Sequence, residues 1–206
     1  MRATTCEDAT HKSLRSPFPM PNRQATALQP LTGGLILAGG RSSRMGHDKA
    51  LLKIDGTTLL NRTSQVLRDA GADLVVVSGS RPGGIPDHFD NAGPLGGIAS
   101  AAPFLPDGRW LVVPVDMPGL CLSVLRPLLE CAGAAANWQG HPLPFVLDLD
   151  DEVRALVEQL MERPSSERSP GTLLSCLKAT HLPLDTLDTR WLVNCNTPDE
   201  WREANT

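Results

Sequence analysis

The chain has 206 residues, 41% hydrophobic and 20% charged, with a formal net charge of -4 and a pI near 5.7. That balance provides no basic field to hold nucleic acid or an anionic membrane surface, and apolar runs such as Leu111 to Val115 fall far short of the roughly 20 residues of a membrane span. The length suits one domain with a sizeable core, since single domains commonly run from roughly 100 to 200 residues.

Residues 1 to 31 are polar and carry Pro17, Pro19, Pro21 and Pro30, with Glu7 and Asp8 and no apolar stretch. Neither a secretory signal nor a transit peptide has that composition, so the reading is a mobile N-terminal extension ahead of a single domain over 32 to 206. Strand-like and helix-period segments then alternate. Gly34 to Ala38 is a strand, and Thr58 to Ala70 is a helix with Leu59, Leu60, Thr63, Val66, Leu67 and Ala70 near one face, stopped by Gly71. Leu74 to Ser78 is a second strand, Pro94 to Ala102 a helix entered through glycines, and Trp110 to Val115 a third strand.

Ser123 to Ala132 and Asp151 to Met161 read as helices, the second with acids at its positive N-terminal end. Pro164 to Gly171 reads as a loop. Thr197-Pro198-Asp199-Glu200 combines an N-cap, a first-turn Pro and a capping Glu, the start of a short helix. The alternation predicts an α/β fold: a Rossmann-like, mostly parallel sheet with helices on both faces in three α/β/α layers. Cys6, Cys121, Cys131, Cys176 and Cys195 form no C-x-x-C pair. They read as mostly packed cytosolic thiols rather than zinc ligands or a disulfide framework.

The chemistry concentrates in Leu35 to Lys49, where an apolar strand runs into Gly39 and Gly40 and then Arg41, Arg44 and Lys49. Glycines let backbone N–H groups approach an anion, and the cations surround it, a turn suited to polyphosphate. The segment is not a P-loop, because Gly46 is followed by His47 and Asp48, and Gly39-Gly40-Arg41 breaks the dinucleotide fingerprint.

Ligands of open parallel sheets bind outside the carboxyl ends of the strands, so other strand exits should face the same cleft. Ser78-Gly79-Ser80-Arg81 could reach a nucleobase or be an ordinary turn. Asp87 and Asp90 precede Gly93-Pro94-Leu95-Gly96-Gly97-Ile98, a glycine-rich helix entry suited to phosphate. Asp116 in Val115-Asp116-Met117-Pro118 ends a strand, placed to hold Mg²⁺ or else to cap a turn.

Leu37 to Lys49 fits the nucleotidyltransferase pattern L-A-G-G-x-S-x-R-M-G-x-D-K. Gly93 to Ile98, Asp116-Met117-Pro118, His141-Pro142-Leu143 and Val193 to Pro198 follow in order. The chain from about 33 to 202 thereby resembles the molybdenum cofactor guanylyltransferases, the MobA-like branch of that superfamily. The resemblance implies a single nucleotidyltransferase domain, in the cytoplasm, that joins GMP from GTP to the terminal phosphate of molybdenum-bound molybdopterin. Mg²⁺ is required and pyrophosphate leaves.

On that resemblance Leu37, Ala38 and Gly39 contact guanine and ribose, with Gly40, Arg41 and Arg44 towards the triphosphate. Arg44, Lys49 and Asp116 are the catalytic set, and Asp116 is the metal ligand. Ser78 sits where the family often has an Asn that contacts the base, and a hydroxyl offers fewer bonds than an amide. Asp87 matches the nucleotide-binding acid, with Asp90 its rival, and Gly93, Pro94 and Leu95 complete the nucleotide contacts.

His141, Asn194 and Asn196 are expected either near the pterin or as turn and cap residues. Trp138 and Trp191 could stack on it or pack in the core. Molybdoenzymes or cofactor-delivery proteins are expected partners. Two other readings stand: a CTP-dependent molybdopterin cytidylyltransferase or another small-molecule nucleotidyltransferase, and a non-catalytic GTP-binding delivery module.

Overall fold

A computed structural model describes residues 31–39, 48–89, 91–185, 187–195 and 200. The chain enters through β1 (Thr32–Leu37), whose last five residues are buried. Leu35 and Leu37 pack into one core while Ile36 packs into another, because successive side chains of a strand face opposite ways. β2 (Lys53–Ile54) and β3 (Thr57–Thr58) form a small antiparallel hairpin, turned by Asp55 and Gly56 with φ of 49° and 79°. Left-handed conformations at both central residues suit the twist of a tight hairpin.

α1 (Leu59–Asp69) starts where the Thr58 hydroxyl accepts from the Asn61 N–H, and buries Leu59, Thr63 and Leu67 along one face. β4 (Leu74–Ser78), α2 (Gly93–Ala101) and β5 (Gly108–Pro114) follow, then α3 (Leu122–Glu130), β6 (Ala135–Trp138) and β7 (His141–Leu149). α4 (Asp151–Met161) is capped by Asp150, which accepts from the Val153 N–H at 2.8 Å. α5 (Pro170–Cys176) and β8 (Thr180–Leu182) complete the regular structure.

The six-stranded sheet has the order β4-β1-β5-β7-β6-β8. β1 pairs in parallel with β4 and β5, and β6 with β8. β7 alone runs against its neighbours β5 and β6. α2, α4 and α5 cover one face, packing Leu95, Ile98, Val157, Leu160 and Leu173 on Leu35, Trp110 and Phe145. α1 and α3 cover the other through Leu59, Leu67, Val124 and Leu128, on Ile36, Leu111 and Val146. Each fully buried Leu or Phe of these layers contributes about 1.5–3 kcal/mol. The three α/β/α layers and the mostly parallel sheet are those expected.

Arg109 closes the far end of the sheet. Its guanidinium donates to the carbonyls of Leu128, Leu129, Cys131 and Gly133 and to Asp148 at 2.7 Å. The exposed C-terminal carbonyls of α3 thus gain a cation, which complements the helix dipole.

Several local expectations change. Pro164 to Gly171 is no plain loop: it holds a 3₁₀ turn at Ser165–Glu167 and the first residues of α5, where Ser169 caps the Thr172 N–H and Pro170 takes the first turn. Trp138 belongs to the core, its indole N–H donating to the Val124 carbonyl at 3.1 Å. His141 opens β7 rather than a turn. The described cysteines are free thiols, but only Cys195 is buried. Cys121 and Cys131 are half-buried and Cys176 is exposed, so packing is less general than expected. No helix among the described residues is long and apolar enough to cross a membrane. The expected extension up to residue 30 and the Thr197 to Asp199 cap lie outside the described residues.

Candidate active site

β4, β1 and β5 are parallel neighbours, so their carboxyl ends open at one edge of the sheet. The ladder continues past the strands: the Ala38 N–H donates to the Ser78 carbonyl at 2.8 Å and the Val115 N–H to the Leu37 carbonyl at 3.1 Å. Leu37 to Gly39, Ser78 to Arg81 and Pro114 to Asp116 are thereby held at fixed mutual positions. They line a cleft of about 520 Å³, with Lys49, Asp87, Gly93, Pro94 and Asn194 around it.

Lys49 follows Asp48, whose carboxylate caps the 3₁₀ turn Lys49–Leu51 by accepting from the Ala50 N–H at 3.0 Å. From that turn Lys49 Nζ reaches to 3.4 Å from Asp116 Oδ2. Side-chain exposures of 18% and 22% leave both groups reachable from the cleft. The backbone carbonyl of Asp116 accepts from the Cys195 N–H at 2.8 Å, which ties the Asn194 segment to the end of β5. Burial, followed by the charges of Glu200 and Asp116, pushes the Cys195 thiol up, against an opposing effect of Lys49.

Across the cleft, Asp87 Oδ1 lies 2.9 Å from the Ser78 hydroxyl. Its other oxygen sits directly above Gly39, where any Cβ would collide with it. The next residue, His88, is pinned to α2: its N–H donates to Ser100 Oγ at 2.9 Å, and that hydroxyl donates to the Gly96 carbonyl at 2.8 Å. The N-terminal end of α2 has no side-chain cap, and Ala92, Gly93 and Pro94 face the cleft. Uncapped N–H groups at a helix start favour an anion.

Of the residues expected here, Leu37, Ala38, Gly39, Lys49, Ser78, Asp87, Gly93, Pro94 and Asp116 all line the one cleft. Leu95 does not: it is fully buried in the core under α2. Ser78 is 1% exposed, and its hydroxyl is engaged within the protein. Gly40, Arg41, Arg44, Asp90 and Asn196 lie outside the described residues.

Arg81 is the residue the sequence did not single out. Its Nη2 donates to the Ala38 carbonyl at 2.6 Å and to Asp48 Oδ1 at 3.3 Å, bridging the end of β1 to the turn that carries Lys49. Its Nε and Nη1 are buried without a partner among the described residues. The signal for it was position alone, a cation in the turn after a buried strand.

No group of three or more His, Cys, Asp or Glu side chains among the described residues could cage a metal. A divalent cation would instead rest on Asp116 and take its remaining oxygens from water and ligand phosphates. That donor set fits a hard cation, which one or two carboxylates plus phosphates hold well.

A cleft across the ends of parallel strands, lined by a cation–carboxylate pair and an uncapped helix start, defines an α/β nucleotidyltransferase. The chain belongs to the MobA-like NTP transferase domain family, whose pattern matches residues 34–178. It is 43% identical over 180 residues, covering 85% of this chain and 95% of the relative, to a protein of Xanthomonas euvesicatoria named molybdenum cofactor guanylyltransferase. A probable molybdenum cofactor guanylyltransferase of Synechococcus elongatus is 32% identical, over 82% of this chain and 95% of its own.

Among solved structures, the molybdopterin-guanine dinucleotide biosynthesis protein A of Archaeoglobus fulgidus is similar with a TM-score of 0.61 at 20% identity, covering 84% of this chain and 96% of that one. The 2-C-methyl-D-erythritol 4-phosphate cytidylyltransferase of Thermus thermophilus gives 0.60 at 18% identity, with coverages of 86% and 98%. At those identities the likeness shows the shared fold.

Proposed function

We infer that this chain transfers GMP from GTP to the terminal phosphate of molybdenum-bound molybdopterin, releasing pyrophosphate and forming molybdopterin guanine dinucleotide. The observation that carries the reading is the convergence of Lys49, Asp116, Asp87 and the start of α2 on one cleft, in a chain 43% identical to a relative of that name.

A pterin phosphate oxygen forms a bond to the α-phosphorus, and the bond from that phosphorus to the bridging oxygen breaks. Pyrophosphate leaves with the electron pair. Two anions must meet, so the work is charge neutralisation and in-line positioning, with no covalent enzyme intermediate. Lys49 offsets negative charge on the transferred and leaving groups. Backbone groups of Leu37, Ala38 and Gly39 border the nucleoside, and Asp87 faces the same end of the cleft. Arg41 and Arg44, by family resemblance, lie along the triphosphate.

Asp116 would hold Mg²⁺, which when bound neutralises phosphate oxygens. Asn194 is assigned to the pterin side. The free thiols suit a reducing compartment such as the cytoplasm, and delivery to molybdoenzymes follows from the product.

The test is transfer of label from α-³²P GTP, with Mg²⁺ and a molybdopterin acceptor, into a dinucleotide product. Equal amounts of labelled product and pyrophosphate support the reading. Label recovered only as GTP, or as GMP, contradicts it.

A further inference from the structure

Ser78 ends β4 with 1% of its surface exposed. Its hydroxyl oxygen lies 2.9 Å from Asp87 Oδ1 and 3.1 Å from the Gly97 carbonyl oxygen in α2. A hydroxyl has one proton, so it donates to one of these acceptors at a time, and the carboxylate is the stronger acceptor. A residue so placed has no free donor to offer a ligand.

What it does is fix a carboxylate. Asp87 is held from three sides: Oδ1 on the Ser78 hydroxyl, Oδ2 against the Gly39 backbone, and the following His88 N–H on Ser100. Two glycines make room. A Cβ at Gly39 would collide with Asp87 Oδ2, and one at Gly97 would fall 2.8 Å from Ser78 Oγ and 3.6 Å from Asp87 Oδ1. Asp87 itself lines the cleft. The sheet and α2 thus deliver one carboxylate in one orientation, at the nucleoside end of β1.

We propose that Ser78 is a positioning residue for base selection: it holds Asp87 so that the carboxylate meets two adjacent donors on a nucleobase edge, and it does not touch the base itself. This rests on the guanylyltransferase reading above. A carboxylate accepts and cannot donate. Among the common bases guanine alone puts two adjacent donors, the ring N1–H and the exocyclic N2 amine, on one edge. Cytosine sets its amine beside an acceptor nitrogen, which a carboxylate repels. A rigid carboxylate therefore separates these bases, while a rotating one separates them less well.

The experiment measures kcat/KM for GTP, for ITP, which lacks the 2-amino group, and for CTP, together with calorimetric Kd values for GTP and ITP. Wild type, Ser78→Ala, Ser78→Thr and Gly97→Ala are compared, each with its thermal midpoint. Ser78→Ala should lower the GTP-to-ITP ratio by about tenfold, the cost expected when an oriented charge-assisted bond is loosened. The ITP value should change little. Ser78→Thr keeps the hydroxyl and should restore much of the ratio. Gly97→Ala, which presses on the same hydroxyl from the helix side, should lower it as Ser78→Ala does. Equal losses for GTP and ITP, or an unchanged ratio in both Ser78→Ala and Gly97→Ala, overturn the proposal. A wild-type protein that does not prefer GTP over CTP overturns the guanylyltransferase reading instead, which keeps the two failures apart.

Discussion

Lys49 Nζ and Asp116 Oδ2 stand 3.4 Å apart across the mouth of the cleft, joining residues that are 67 positions apart in the chain. Side-chain exposures of 18% and 22% leave each charge mostly screened from water, and each is a group that a triphosphate with its cation would engage. In the proposed reaction Lys49 would serve the phosphates and Asp116 the metal, and their ion pair ties the turn that carries Lys49 to the end of β5.

Asp116→Asn keeps the size of the side chain and removes the charge that would hold a divalent cation. Mg²⁺-dependent turnover should fall by about 100-fold or more, while the Kd for GTP changes by less than about tenfold. Steady-state rates against Mg²⁺ concentration, with calorimetry on the same protein, measure both. Full turnover in the variant would remove Asp116 from the metal site.

Gly39→Ala should separate binding from folding. The new methyl collides with the Asp87 carboxylate, which must swing away and give up its bond from the Ser78 hydroxyl. Losing one such bond costs about 1.5–3 kcal/mol, so the chain should still fold, with a thermal midpoint lowered by about 5–10 °C. The KM for GTP should rise by about tenfold or more, as expected when a positioned contact is displaced. A KM unchanged in the variant would separate Asp87 from the nucleotide.

Arg81→Ala should weaken the end of β1. It deletes donors to the Ala38 carbonyl and Asp48 from a guanidinium that is 10% exposed. Loss of a buried charge-assisted bond costs about 1.5–3 kcal/mol, which urea denaturation resolves. Arg81→Lys should recover only part, because one ammonium cannot span both partners as the planar fork does.

Cys195 sets a pH dependence. Burial, Glu200 and Asp116 raise its thiol pKa in the fold, so the unfolded chain loses this proton first as pH rises. The contribution is complete below about pH 8.5, the ordinary thiol value, and is lost as pH rises through the higher folded value. The urea midpoint of wild type should therefore fall more between pH 7 and pH 10 than that of Cys195→Ala. Exposed Cys176 should also react with a thiol reagent well before buried Cys195.

The alternating half of the fold was legible because its periodicities are clean. β4 and α4 fall on the expected residues, and β1, α1, α2, α3 and β5 shift by only one or two at their ends. The second half of the sheet was not. β7 contains Pro142 and Pro144, β6 is four residues long and β8 three. Prolines and short runs erase the period of two that a reader of strands depends on. α5 was hidden because its cap and first turn, Ser169-Pro170-Gly171, have the composition of a loop.

At the site, the glycine-cation segment and Asp116 stood out because strand exits are marked by an abrupt change from apolar to charged residues. The pairing of Ser78 with Asp87 depends on packing between β4 and α2, and the bridge by Arg81 depends on β1 lying beside β4. No local pattern encodes either. Leu95 shows the converse: it sits within a nucleotide-type motif, yet helical periodicity turns it into the core.

The most direct measurement is pyrophosphate release by the full chain with Mg²⁺ and a molybdopterin acceptor, with GTP and CTP in parallel reactions. Release with GTP, at a kcat/KM about 100-fold or more above that with CTP, is the predicted result for a site built to match one base edge. Release that favours CTP, or that occurs with neither nucleotide, would contradict the assignment.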